Sequence, residues 1–129
     1  MTGQIFTLRN TLYGLATWAI PFVAAFAFYD RTGQLAVDLI TFKTAMILVG
    51  GVVGAWLLVL AFRRVTPTLA AGFLLGLFWA AINWGLDLAV LVGAMGSDPG
   101  DWVLGIGLRY LMIPIIAAGM GAVGAAQHG

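Results

Sequence analysis

Residues 69–95 read LAAGFLLGLFWAAINWGLDLAVLVGAM, a run in which only Asn83 and Asp87 carry strongly polar side chains. It exceeds the ~20 residues an α-helix needs to cross the hydrocarbon of a bilayer. Three further apolar stretches lie outward from it, Leu12 to Phe28, Thr44 to Phe62 and Val103 to Val123, each meeting or approaching that length. Between them the longest connection runs from about Tyr29 to Lys43, too short to fold by itself. The sequence therefore predicts an all-α polytopic membrane protein, one domain over residues 1–129 forming an up-down bundle of four transmembrane helices.

Composition leads the same way. The chain is 62% hydrophobic and 9% charged, whereas a soluble domain is about a quarter charged so that its surface can meet water. A net charge of +1 gives no basic surface for nucleic acid. Without cysteine there are no disulfides, thiolate metal sites or thiol chemistry. The single histidine, His128, lies in the C-terminal tail, so no imidazole pair is available for haem or a transition metal, and no cofactor is expected. Arg9, the following apolar run and the small pair Ala25 and Ala27 imitate a secretory leader. The length of that run and its Trp18 and Pro21 favour a first spanning helix instead.

The loops divide by charge. Arg9 precedes the first helix and Arg63 and Arg64 follow the second with no acid on their side, while Asp30, Arg31, Asp38, Lys43, Asp98 and Asp101 fall opposite. The positive-inside bias then puts both termini in the cytoplasm of a multi-pass protein of the inner (plasma) membrane. Arg-Thr-Gly at 31–33 and Ser-Asp-Pro-Gly at 97–100 read as breakers, Asp101 as a cap for the fourth helix, and Trp102 and Tyr29 as interface anchors.

Small residues recur at four-residue spacing in Gly50 and Gly54, Gly51 and Ala55, Gly72, Gly76 and Ala80, and Ala118, Ala122 and Ala126. Such rows let helices approach closely, within the chain or between copies of it. On the third helix the row continues to Asn83 and Asp87, so one face ends in a carboxylate. At ~1.5 Å per residue Asp87 lies about 12 Å inside the helix end near Met95, and Arg109 enters the fourth helix to a similar depth. A bare charge at that depth costs several kcal/mol, so the two are expected to pair, either as a clamp between helices or as part of a ligand site. Tyr110 and Lys43, the latter expected to open the second helix, complete a candidate polar cluster with Asn83, Asp87 and Arg109. Pro114 and Pro21 would each free a carbonyl near mid-membrane, that of Tyr110 and that of Thr17. The tryptophans at 18, 56, 79 and 84 fill the bundle, face lipid or stack on a ligand.

The strings IPFVAAFAFYD (20–30), FKTAMILVGG (42–51), FWAAINWGLDLAVLV (78–92) and GLRYLMIPI (107–115) resemble small four-helix membrane proteins of bacteria and archaea. That resemblance covers most of the chain and implies the fold, with no activity and no site residue attached. Small multidrug exporters and fluoride channels share the size and helix number. The exporters' first-helix glutamate and the channels' Gly-Gly-Leu-Thr-Thr-Phe-Ser-Thr run are both missing here.

Two functional expectations follow. The first is an ion or small-solute pathway around Asn83, Asp87, Arg109, Tyr110 and Lys43. The second is an accessory or scaffold subunit whose small-residue faces dock copies of itself or other membrane subunits. No nucleophile and base constellation or phosphate-binding glycine motif is present, so an enzyme is not expected.

Overall fold

The computed structural model describes residues 2–94, 96, 100 and 107–128. Its elements, in chain order, are α1 (Thr2–Ile5), α2 (Leu8–Ala25, extended by a 3₁₀ turn over Phe26–Phe28), α3 (Leu39–Phe62), α4 (Leu69–Asp87, continued as a π-helix over Leu88–Ala94), a 3₁₀ segment (Gly107–Leu111) and α5 (Met112–His128). Three helical spans, Leu8–Phe28, Leu39–Phe62 and Leu69–Gly93, are long and apolar enough to cross a membrane, and Met112–Gln127 is a shorter apolar helix.

Three helices start where a side chain satisfies one of the backbone N–H groups that a first turn leaves unpaired. Thr7 accepts from the Asn10 amide at 3.1 Å, Asp38 from Thr41 at 3.1 Å and Thr68 from Ala71 at 2.9 Å. These caps move two expected boundaries. The first helix begins at Leu8 rather than Leu12, and the second at Leu39 rather than Thr44, so Lys43 lies inside α3 instead of opening it. The expected start of the fourth helix, Val103, lies outside the described residues; from Gly107 the described residues form a 3₁₀ turn, become α-helical at Met112 and run on through His128. Pro114 therefore occupies a first helical turn, where a missing N–H costs little, and is no mid-helix break. Asp98, Asp101 and Trp102 lie outside the described residues.

Helix directions follow from the contacts. Arg9 on α2 donates to the Leu60 carbonyl of α3 at 2.8 Å, while Phe28 meets Phe42 with ring centroids 5.6 Å apart, so α2 and α3 are antiparallel. The Arg9 bond places a cation on the last carbonyls of α3, where the helix dipole is negative. Trp79 reaches Asn10 and Asn83 reaches Thr17, so α4 runs parallel to α2. Against α5 it is antiparallel: a Cβ on Gly76 would fall 2.7 Å from the Pro114 nitrogen and 2.9 Å from the Ile113 carbonyl oxygen, and one on Gly72 would collide with the Ala117 carbonyl. The reciprocal row on α5 is Pro114, Ala117, Gly121 and Gly124, rather than the expected Ala118, Ala122 and Ala126; a Cβ on Gly121 would strike the Thr68 carbonyl.

The row on α3 has no such partner among the described residues. A Cβ on Gly50, Gly51 or Gly54 would meet nothing within 4 Å. The buried apolar core is formed by Leu57, Leu58, Ala61, Val65, Ala71, Leu75, Trp79 and Ala117, together with Ile5 of α1. Outside it the surface is apolar: Leu8, Ile40 and Val52 are 76%, 79% and 70% exposed. Such a surface suits lipid rather than water.

Residues 29–38 turn sharply between α2 and α3. Gly33, at φ +83°, adopts the left-handed conformation that favours glycine. Asp30 Oδ1 accepts from the Thr32 hydroxyl at 2.6 Å, the Thr32 amide at 2.9 Å and the Gln34 amide at 3.1 Å. The Thr32 side chain, then the Gln34 amide, hold Asp30 below its ordinary value of 3.8, and the Thr41 hydroxyl and amide do the same for Asp38. Both lowered groups favour the ordered loop at neutral pH, and that contribution fades as pH falls below 3.8 through their folded-state values. An acid titration followed at the Gln34 and Thr41 amides should show both signals moving only below the ordinary carboxylate range, and Asp38→Asn should remove the change at Thr41.

Candidate functional site

The face of α4 that carries Gly72, Gly76 and Ala80 ends in Asn83 and Asp87, and both polar residues are buried, at 1% and 2% exposure. Asp87 is the last α-helical residue before the π-helix. A change of winding of that kind is often found at functional sites.

The Asp87 carboxylate joins three helical segments. Its Oδ1 accepts from the Trp18 indole N–H of α2 at 2.6 Å, and its Oδ2 from the Tyr110 hydroxyl of the 3₁₀ segment at 2.7 Å. Trp18 is held in place by stacking on Phe22, with ring centroids 4.6 Å apart and planes 14° from parallel. Each carboxylate oxygen thus has a short donor, which offsets part of the cost of taking it out of water.

One turn back, Asn83 donates through Nδ2 to the Thr17 hydroxyl and to the Trp79 carbonyl, both at 2.8 Å. The Thr17 hydroxyl in turn donates to the Gly14 carbonyl at 2.5 Å. Gly14 itself is required, because a Cβ there would lie 2.7 Å from Ile82 Cδ1 and 2.9 Å from Trp79 Cδ1. Trp79, fully buried, donates to the Asn10 carbonyl at 2.9 Å, and Asn10 caps α1 by donating to the Gln4 and Ile5 carbonyls. A seam of polar groups therefore follows the α2–α4 interface from Asn10 to Asp87. Two atoms in it, Asn10 Oδ1 and Asn83 Oδ1, accept no hydrogen bond from the described residues.

Of the expected cluster, Tyr110 meets Asp87, and Asn83 lies one turn from Asp87 on the same buried face of α4. Lys43 does not join them: it is exposed on α3, and its side chain makes no hydrogen bond or ion pair among the described residues. The Arg109 side chain lies outside the described residues, and the Asp87–Arg109 pair with it. Trp18, Thr17 and Asn10 complete the seam and were missing from the expected site. Asn10, Gly14, Thr17, Trp18 and Pro21 are three, four or one residue apart, so they share one face of α2 as Gly76, Ala80, Asn83 and Asp87 share one of α4. Of the tryptophans, Trp79 fills the core, Trp18 binds Asp87, and Trp56 is 56% exposed on α3.

Two cavities stand out among the described residues. A groove of about 740 Å³ separates α3 from α5 along Val59, Phe62, Ile116, Met120 and Val123, and a smaller one of about 170 Å³ lies where α1 and the start of α2 meet the α3–α4 turn. Neither is lined by Asn83 or Asp87. No group of three or more His, Cys, Asp or Glu that could hold a metal occurs among the described residues.

These features define a helical protein with membrane-length apolar spans and a buried polar seam. No protein-family model, curated protein or solved structure matches the chain.

Proposed function

We propose that the chain is an up-down bundle of four transmembrane helices in the inner (plasma) membrane, with both termini cytoplasmic, and that it conducts an ion or small solute through the seam centred on Asp87. What carries this reading is the Asp87 carboxylate: 2% exposed, set in an apolar helix and held by donors from two other segments. Intramembrane ionisable groups are expensive and concentrate on ion and substrate paths. Asn83 Oδ1, an unused acceptor one turn away, would serve a passing donor or cation. With Asp87 closed off, passage requires Trp18 and Tyr110 to part from it. Arg109, on the same 3₁₀ segment as Tyr110, would move with that opening.

The test uses proteoliposomes of wild type and Asp87→Asn, with cation, proton and small-solute flux followed by entrapped indicators. Flux above empty vesicles in the wild type, reduced at least about tenfold in Asp87→Asn at equal folded protein, is the expected result. No flux, or flux indifferent to Asp87, would reject the pathway. Orientation has its own check: a cysteine at Arg31 should react with an impermeant thiol reagent from outside the cell, and one at Gly3 should react only after permeabilisation.

A second reading, an accessory subunit docking copies of itself or other membrane proteins, draws on Gly50 and Gly51 of α3 beside exposed Leu48 and Val52. There Asp87 would be a clamp only, and Gly51→Leu should break an assembly while leaving the monomer folded.

A further inference from the structure

The smaller cavity lies at the end of the molecule opposite Asp30 and Asp38, and its lining is chemically one-sided. Gln4, Thr7, Arg9, Asn10 and Arg64 surround about 170 Å³. No carboxylate lines it, and among the described residues neither arginine forms a salt bridge.

Two of the three neutral residues, Gln4 and Thr7, have their side-chain acceptors already engaged. Gln4 Oε1 takes the Thr66 amide at 2.9 Å, which leaves its side-chain NH₂ to face outward. Thr7 Oγ1 takes the Asn10 amide at 3.1 Å, which leaves the hydroxyl proton to donate. Asn10 spends its NH₂ on the Gln4 and Ile5 carbonyls, and its Oδ1 is sealed within the protein. Arg9 is fixed by its bond to the Leu60 carbonyl and by the Tyr13 ring, 4.8 Å below its guanidinium carbon, and keeps further N–H groups to offer. The Arg64 side chain makes no hydrogen bond or ion pair among the described residues. What remains for a ligand is a set of donors with two positive charges.

We propose that this cavity binds a phosphate group, with the head group of an anionic phospholipid as its main source. Guanidinium groups match phosphate oxygens in pairs, and the amide and hydroxyl donors supply further bonds. Exposed Phe6 and Leu8, 53% and 76% accessible, flank the cavity lining in sequence and give acyl chains an apolar surface beside it. A basic end of a membrane protein also faces the leaflet's anionic lipid. Asn10, at the near end of the Asp87 seam, also lines this cavity, but neither arginine belongs to the seam.

The experiment measures lipid retention and melting temperature of the full chain in phosphatidylcholine nanodiscs, with and without phosphatidylglycerol, and separately with inorganic phosphate. Phosphatidylglycerol should be retained preferentially and raise the melting temperature, with an affinity that falls as salt rises. Arg64→Gln should weaken that binding about tenfold. Gln4→Glu, which keeps the acceptor for Thr66 while setting a carboxylate in the cavity, should weaken it at least as much. Arg63→Gln, on the other groove, should change it by less than about twofold. If inorganic phosphate alone reproduces the stabilisation and phosphatidylglycerol adds nothing, the same donors serve a soluble phosphate ester, and the lipid assignment falls while the phosphate site stands. Equal weakening by Arg63→Gln and Arg64→Gln would mean diffuse attraction to a basic end and would overturn the site. So would binding of neither probe.

Discussion

Gly76→Leu should prevent recovery of folded protein from the membrane, while Gly85→Leu on the same helix should be tolerated. At Gly76 the backbones of α4 and α5 touch, and the first added carbon would already collide with Pro114. Neither helix can yield without also separating Gly72 from Ala117 and Gly121 from Thr68, because the same close approach repeats along the whole crossing. Overpacking a well-filled contact costs about 1–3 kcal/mol when side chains alone must move; a backbone collision should exceed that. Gly85 faces open space, with nothing within 4 Å of an added Cβ, so leucine there should match or improve on glycine, which is a poor helix former by up to ~1 kcal/mol. Monodispersity and melting temperature in detergent make the comparison. Equal behaviour of the two variants would remove Gly76 from any close interface.

The second large effect belongs to Asp87. Replacing it with alanine removes the acceptor that joins the Trp18 indole and the Tyr110 hydroxyl, and a donor that loses its partner costs roughly 1–3 kcal/mol, least where it is only half-buried, as both are here. Two such losses put Asp87→Ala about 2–4 kcal/mol below the wild type, at the low end because alternative partners within a membrane soften polar losses. Tyr110→Phe and Trp18→Phe should each cost less, since each leaves Asp87 its other donor. Combining either with Asp87→Ala should add little further loss, because the bond in question is already gone. Fully additive losses in denaturant titrations would argue against direct contact.

The helical, membrane-directed character of the chain could be read from hydrophobic run lengths alone, because no other structure satisfies backbone groups over such lengths in lipid. The boundaries were less accessible. Apolar content marked Leu12 and Thr44 as helix starts, whereas the backbone needs caps, and Thr7 and Asp38 supply them several residues earlier. Those caps were visible as Thr and Asp three residues ahead of the amides they bind. The α4 face from Gly72 to Asp87 was correct because its period is helical. The same test applied to α2 would have drawn in Asn10, Thr17 and Trp18. Trp18 looked like a lipid-facing or packing aromatic because its indole N–H adds almost nothing to hydropathy, yet that N–H binds the buried carboxylate. Lys43 was grouped with the cluster by membrane depth alone; depth says nothing of azimuth, and α3 turns it outward. The α3 row of glycines shows the same ambiguity in reverse: small residues mark a possible close approach, but not which surface makes it.

The indole N–H resonances of the tryptophans in lipid nanodiscs test the joint at Asp87 most directly. The Trp18 signal, assigned by its loss in Trp18→Phe, should move strongly in Asp87→Asn, while the Trp79 signal, whose N–H goes to the Asn10 carbonyl, should stay nearly still. A Trp18 signal unmoved by Asp87→Asn would contradict a buried carboxylate joining α2, α4 and the segment before α5.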